Sequence, residues 1–425
     1  MTTKLETNEW NWAGNYSYGA GEIHYPESIA ELRTVVASAS KVRALGSRHS
    51  FNPIADSEGV LVSLAKIAPE IEVDAAALTV SVSAGTTYGV LATELQKQGF
   101  ALHNLASLPH ISIAGAIATG THGSGDGNGN LATSVLALSF IDANGAMYTV
   151  TRADTPDFAG YVVGLGSLGV LTRVTLRIEA DYKVAQHVYT GLPWVTVLEN
   201  YDAITSSAYS VSLFTDWSGD TVGQAWFKQR VGDGRAANFP EQLFGGAAAL
   251  TESHPLPGVS AVNCTPQLGV AGHAADRLSH FRMDYLPSNG DEIQSEYLVP
   301  REHALAAIAA MRELRDVITP LLLVAEIRTI AADDLWLSGN YGRNGIGLHF
   351  TWRLDQAAVE GVLPLIEQAL APFGARPHWG KVFTADAATI APLYPKFEDF
   401  KALVQLRDPH GKFRNDFLER TIFAA

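Results

Sequence analysis

Two Gly/Ser/His-rich loops hold the residue types best suited to chemistry. One is Gly46-Ser47-Arg48-His49-Ser50-Phe51. The other is Ser107-Leu108-Pro109-His110-Ile111-Ser112-Ile113-Ala114-Gly115, which runs on to Thr119-Gly120-Thr121-His122-Gly123-Ser124-Gly125. Small residues let a backbone approach a ligand closely, and the free N–H groups of such loops suit a pyrophosphate. A histidine inside the loop adds a nucleophilic nitrogen. Together they point to a large, phosphate-bearing cofactor gripped by loops, with His49 able to tie it covalently. A histidine alone in a turn is usually a surface or hydrogen-bonding group. The flanking Ser47 and Ser50, and the second loop with His122, favour the sharper reading.

The second half of the chain supplies polar intrusions into apolar strands. Within 321–330, Glu326 and Arg328 are two apart and so face the same side of a strand. The run 347–352 repeats the device with His349 and Thr351, and 376–381 adds His378 and Lys381. Charges at buried strand positions need partners, otherwise several kcal/mol are lost. For any single strand, an internal Glu–Arg pair beside a hydrogen-bonded histidine would suffice. Three such segments imply a cavity rich in donors and acceptors, suited to a substrate with many hydroxyls.

Other motifs carry less. Gly164-Leu165-Gly166-Ser167-Leu168-Gly169 matches the dinucleotide fingerprint G-x-G-x-x-G, but a β-rich run, Val170-Leu171-Thr172, follows where a helix should open. It reads instead as a turn passing close to a cofactor. Ser63-Leu64-Ala65-Lys66 fits S-x-x-K without the S-D-N or K-T-G that would accompany it in a penicilloyl-serine enzyme. The glycine-rich 123–129 segment hints at a calcium turn, yet such turns work in arrays and one copy reads as a flexible loop. His103, His110 and His122 show no metal-ligand spacing, and no metal site is expected.

The elements that must position these residues follow from pattern. Pro26 to Leu32 opens an amphipathic helix, with Ile29, Leu32, Val35 and Val36 at helical spacing, and 42–45 is a strand delivering the first loop. Strands are expected at 78–82 and 170–178, a helix at 88–98 ending at Gly99, and a hairpin at 136–150 around Asn144-Gly145. After about residue 180 the texture changes to strands at 208–214 and 222–228 and a loop-rich 231–272. A helix at 301–317, strands at 321–330 and 345–353 and a helix at 357–370 then suggest a helix-covered antiparallel sheet.

The chain has 425 residues, enough for two domains, with 47% hydrophobic and 17% charged residues, which marks it as globular. A net charge of −14 without any basic run argues against nucleic acid and anionic membranes and favours a small neutral ligand. The single cysteine, Cys264, allows no internal disulfide. No apolar run has the length of a membrane span and the start lacks a signal-peptide core, so a soluble cytoplasmic protein is expected.

The joint set Asn11-Trp12-Ala13-Gly14-Asn15, GSRHSF, SLPHISIAGAIATGTHGSG, Glu326-Ile327-Arg328 and His378-Trp379-Gly380-Lys381 resembles the vanillyl-alcohol-oxidase-type flavoproteins, and within them the bacterial alditol (xylitol/sorbitol) oxidases. The resemblance implies an α+β, two-domain FAD-binding fold: an FAD domain from 1–180 with 381–425 returning to it, and a substrate (cap) domain, 181–380, with a large antiparallel sheet. It implies FAD bonded through its 8α-methyl to His49. Ala44, Leu45, Gly46, Ser47, Arg48 and Ser50 would hold the cofactor from the first loop. Ser107, Ser112, Gly115 and the run Thr119, Gly120, Thr121, His122 would hold it from the second, with Val170 and His378 also touching it. Ser107, Glu326, Arg328, His349, Thr351 and Lys381 match the polyol-contacting positions. The departure is Arg48, where these oxidases commonly carry glycine.

The implied reaction is oxidation of the terminal primary alcohol of an alditol to the aldose, by hydride transfer to flavin N5 and reoxidation by O2, giving H2O2. In that reading Lys381 and Arg328 stabilise alkoxide charge, Glu326 orients Arg328, and Lys381 or His349 is the base, while the small Ala106 leaves O2 a path to the ring. The expected partners are a polyol and O2 alone, acting on a monomer. The rivals are a sugar-1,4-lactone oxidase or dehydrogenase of the same superfamily, and a non-catalytic binding protein on the same fold.

Overall fold

The computed structural model describes residues 9–232, 238–285 and 292–424. The first loop is delivered by a small parallel sheet. Ser28 caps the helix Ile29–Ser38 by accepting from Glu31 N, and Leu32 and Val36 are its buried face. The strand Val42–Ala44 follows and pairs in parallel with Val60–Val62, which pairs in parallel with Glu22–His24. The end of the chain packs against this unit: Val42 N donates to Lys412 O, and Asn415 Nδ2 donates to Asp56 O at 2.8 Å.

A five-stranded antiparallel sheet lies beside it, in the order Ile71–Asp74, Thr79–Ser83, Val170–Arg177, Val135–Ile141, Met147–Thr151. The expected hairpin is the last pair. Its turn places Gly145 at φ 79°, and Asp142 Oδ1 accepts from Asn144 N and Ala146 N. The G-x-G-x-x-G segment is a turn with Gly166 at φ 70° and Gly169 at φ 129°, and the strand Val170–Arg177 follows it directly. No helix opens there.

The remaining architecture is a ten-stranded antiparallel sheet. Its middle runs Thr221–Val231, Ser210–Thr215, Leu322–Ile330, Gly345–Arg353, Glu292–Pro300. The helices Ala304–Glu313 and Gln356–Leu370 contact each other, with Ala307, Ile308, Met311, Leu363 and Ile366 fully buried. The expected single helix at 301–317 is three pieces: a 3-10 turn Arg301–His303, then Ala304–Glu313 and Arg315–Ile318. Within the large sheet the long strands Lys183–Pro193 and Glu292–Pro300 had no counterpart in the sequence pattern, nor did Glu22–His24, Val60–Val62 and Ile71–Asp74 in the smaller sheets. Among the described residues no helix is long and apolar enough to cross a membrane.

Candidate active site

Both Gly/Ser loops and the middle of the large sheet wall one cavity of about 460 Å³. On the loop side the backbones are interlocked. Ser112 N donates to Ser47 Oγ at 3.0 Å. A Cβ on Gly46 would stand 2.5 Å from Ser112 Oγ, and one on Gly115 would stand 2.9 Å from it, so a side chain at either position would force that hydroxyl aside. Arg48 has φ 62°, the left-handed region in which glycine is unstrained. It is held there by an ion pair with Glu9 and a 3.0 Å hydrogen bond from Nη2 to Tyr25 Oη. Trp12 N donates to Arg48 O at 2.9 Å, and the Trp12 indole stacks on the His49 ring at 5.0 Å. Enclosure pushes the His49 pKa down to about 4, with His110 adding to the effect. Its imidazole is therefore neutral and nucleophilic at ordinary pH.

The residues fit the phosphate-bearing cofactor. Ser112 Oγ is buried without a hydrogen-bond partner, poised between Gly46 and Gly115 as a donor to an oxyanion. Ala44 to Ser50 all line the cavity, as do Ser107, Ser112, Gly115, Thr119, Thr121 and His122. Gly120 and Val170 do not. Gly120, at φ 65°, lies just past the helix Ile113–Ala118, where an added Cβ would face the Val163 side chain. Val170 is fully buried opposite Ile141, and strand alternation sends Leu171 to the cavity instead.

The sheet side is a patch of three positions on each of three adjacent strands. Register pairs Glu326 with His349 and His349 with Glu296, and pairs Arg328 with Gly347. Val324 and Gln294 both stand opposite Thr351. Glu296, 1% exposed, is the hub: Oε1 accepts from Arg328 Nη2 at 2.5 Å and Oε2 from Lys381 Nζ at 2.7 Å. Its Oε1 also lies 3.3 Å from His122 Nε2. A Cβ on Gly347 would come within 2.8 Å of Glu296 Oε1. Without one, Arg328 reaches across that strand to a carboxylate two strands away. Glu326 Oε2 is 3.6 Å from Arg328 Nε, whereas Glu326 Oε1 is 2.9 Å from His280 Nε2. Glu296, rather than the expected Glu326, is thus the carboxylate that orients Arg328. Residues two apart on one strand point in parallel, while a diagonal over a glycine brings charged tips together.

Electrostatics follow from that geometry. Burial alone would raise the Glu296 carboxyl, yet Arg328 and Lys381 hold it well below the usual carboxylate range. Glu326 is likewise opposed by burial and pulled down by Arg328 and His280. Burial lowers Lys381 to about 8 against the pull of Glu296. His349 and His378 are pushed well below the ordinary imidazole value, by burial first and Lys381 second. Glu296 and Glu326 balance the charges of Arg328 and Lys381, and Glu292, whose carboxyl burial raises, stands beside them hydrogen-bonded to Gln294.

Several residues in the site escaped the sequence reading. Glu292, Gln294, Glu296 and His280 all line the cavity. Asn52 joins the two walls: its Nδ2 donates to Trp379 O at 2.9 Å and Lys381 O at 2.7 Å. Ser107 O accepts from His280 N and Phe281 N, tying the second loop to the sheet side. Ser63 caps a 3-10 turn, and Asp126 pairs with Arg301, so neither weak motif marks chemistry. His122, Glu296 and His378 offer ligand atoms within 4.8 Å of one another. Both Glu296 oxygens already face cations, which a divalent ion would have to displace.

Residues 22–151 match the FAD binding domain family, and residues 275–421 match the D-arabinono-1,4-lactone oxidase family. The chain is 45% identical over 417 residues to alditol oxidase from Streptomyces sp., covering 97% of this chain and 99% of that one. It is 27% identical over 434 residues to L-gulono-1,4-lactone dehydrogenase from Mycobacterium tuberculosis, covering 97% and 98%. Among solved structures, cholesterol oxidase from B. sterolicum superposes with a TM-score of 0.77 at 15% identity, covering 99% of this chain and 97% of that one.

Proposed function

We infer the function from one premise: the chain belongs to the alditol oxidase family of vanillyl-alcohol-oxidase-type FAD flavoproteins. It oxidises the terminal primary alcohol of alditols such as xylitol and sorbitol to the aldose, with O2 as acceptor. The observation that carries this reading is the donor-and-acceptor patch of Glu326, Arg328, His349, Thr351 and Lys381 in a cavity shared with the His49 loop. The FAD unit comprises residues 1–180 with 381–425, and the substrate unit 181–380.

When bound, FAD supplies the oxidant, taking the hydride of the carbinol carbon and passing both electrons to O2 as H2O2. The chain's residues do the rest. His49, neutral and clamped by Trp12, is the covalent anchor. Ser112 Oγ and the glycine backbones hold the phosphates. Lys381 and Arg328 stabilise negative charge on the reacting oxygen, both oriented by Glu296. Glu326 and Thr351 accept from further hydroxyls, and Ser107 contacts the polyol from the loop side. His349, kept neutral by burial, offers the reacting hydroxyl a nitrogen lone pair. The lactone matches are more distant in identity, which places a lactone substrate second. Steady-state O2 consumption decides between them. Turnover with xylitol and sorbitol well above that with aldonolactones is expected, and the reverse preference would overturn the substrate assignment.

A further inference from the structure

His349 Nε2 lies 3.0 Å from Gln294 Oε1, and Gln294 Nε2 lies 2.7 Å from Glu292 Oε1. All three residues line the cavity. Glu292, Gln294 and Glu296 alternate along one strand and share a face, so this relay runs beside the Glu296 hub. A carboxylate only accepts, so Glu292 turns the amino group of Gln294 toward itself. The amide oxygen must then face His349, and an amide oxygen also only accepts. The proton of a neutral His349 therefore sits on Nε2. Its Nδ1 is left as a bare lone pair, buried and without a partner among the described residues.

We propose that Gln294, oriented by Glu292, is a positioning residue that fixes the tautomer of His349 and so makes Nδ1 the acceptor of the substrate's hydroxyl proton. As the carbinol C–H pair leaves as hydride, the O–H pair becomes the second bond of the new carbonyl and the proton passes to Nδ1. An alcohol losing hydride becomes a very strong acid, so a weakly basic imidazole suffices. Lys381 does not compete for this role, because its ammonium is held on Glu296 at neutral pH. With the opposite tautomer, Nδ1 would carry a hydrogen toward the hydroxyl and the proton would have nowhere to go. The inference rests on the alcohol-oxidation reading only for its chemical consequence; the tautomer itself is independent of substrate.

The test is nitrogen-15 NMR of histidine-labelled holoenzyme, with the His349 signals identified by their loss in His349→Asn. Expected is a protonated Nε2 and an unprotonated Nδ1 in the native enzyme. In Gln294→Leu the preference should relax, and kcat for xylitol should fall by roughly 10- to 100-fold, as for loss of an aligned base, with KM changed far less. Gln294→Glu keeps an acceptor facing Nε2, whichever carboxyl of the pair carries a proton, and should restore the tautomer and much of kcat. Protonated Nδ1 in the native enzyme would overturn the proposal without reference to any variant. So would a Gln294→Leu enzyme with an unchanged tautomer or unchanged kcat. A correct tautomer in an enzyme that ignores polyols would instead sink the substrate reading and leave the relay standing.

Discussion

The two walls of the cavity are held by different physics. The loop wall is backbone at close quarters: Gly46 and Gly115 leave no room for a Cβ beside Ser112, and His49 is a side chain resting on Trp12. The sheet wall is charge, with Glu296 buried between Arg328 and Lys381 and Glu326 against His280. A close-packed loop tolerates the loss of one functional side chain, since its shape does not depend on it. A buried ion network does not, because removing one member strands the others. The contrast separates anchoring from catalysis: the first wall can lose its chemistry and keep its fold, and the second cannot.

The largest expected effect breaks the sheet wall. Glu296→Ala would strip Lys381 of its buried ion-pair partner and leave Arg328 only the longer contact with Glu326. It should cost about 3–5 kcal/mol of stability and reduce kcat/KM for xylitol by roughly 100-fold or more, read by thermal unfolding and steady-state kinetics. An Ala variant as stable as the native protein would mean that the network is not what holds this wall. A smaller effect is expected from pH. Lys381, lowered chiefly by burial to about 8, must carry its proton to stabilise the reacting oxygen. Protonation is largely complete below that value and lost above it, so kcat/KM should fall as pH rises through about 8. In Lys381→Met the residual rate should lack this limb, and a limb that persists there belongs to another group.

The same contrast governs what was legible beforehand. The loop wall is written in consecutive residues, so its glycines, Ser112 and His49 could be read directly, together with the helix and strand that precede the first loop and the hairpin, though not the flanking strands Glu22–His24 and Val60–Val62. Glu326, Arg328, His349 and Thr351 were legible because polar residues interrupt apolar runs. Glu292-Ile293-Gln294-Ser295-Glu296 was not, because regular alternation describes a strand with one face in water, and only assembly turns that face into a cavity. Asn52 was hidden for another reason: its carbonyl partners, Trp379 and Lys381, are far away in sequence. The helix expected across 301–317 ran its apolar period through Leu314, where the chain breaks. Arg48 could be seen as a departure from glycine but not as a left-handed residue clamped by Glu9 and Tyr25.

A cofactor tethered to the loop wall, in reach of the charged one, would survive acid precipitation, and the visible spectrum of the precipitate reads that tether. The native protein should give a yellow pellet and a folded His49→Ala variant a colourless one. A native pellet stripped of colour, or a variant pellet that keeps it, would contradict the tether.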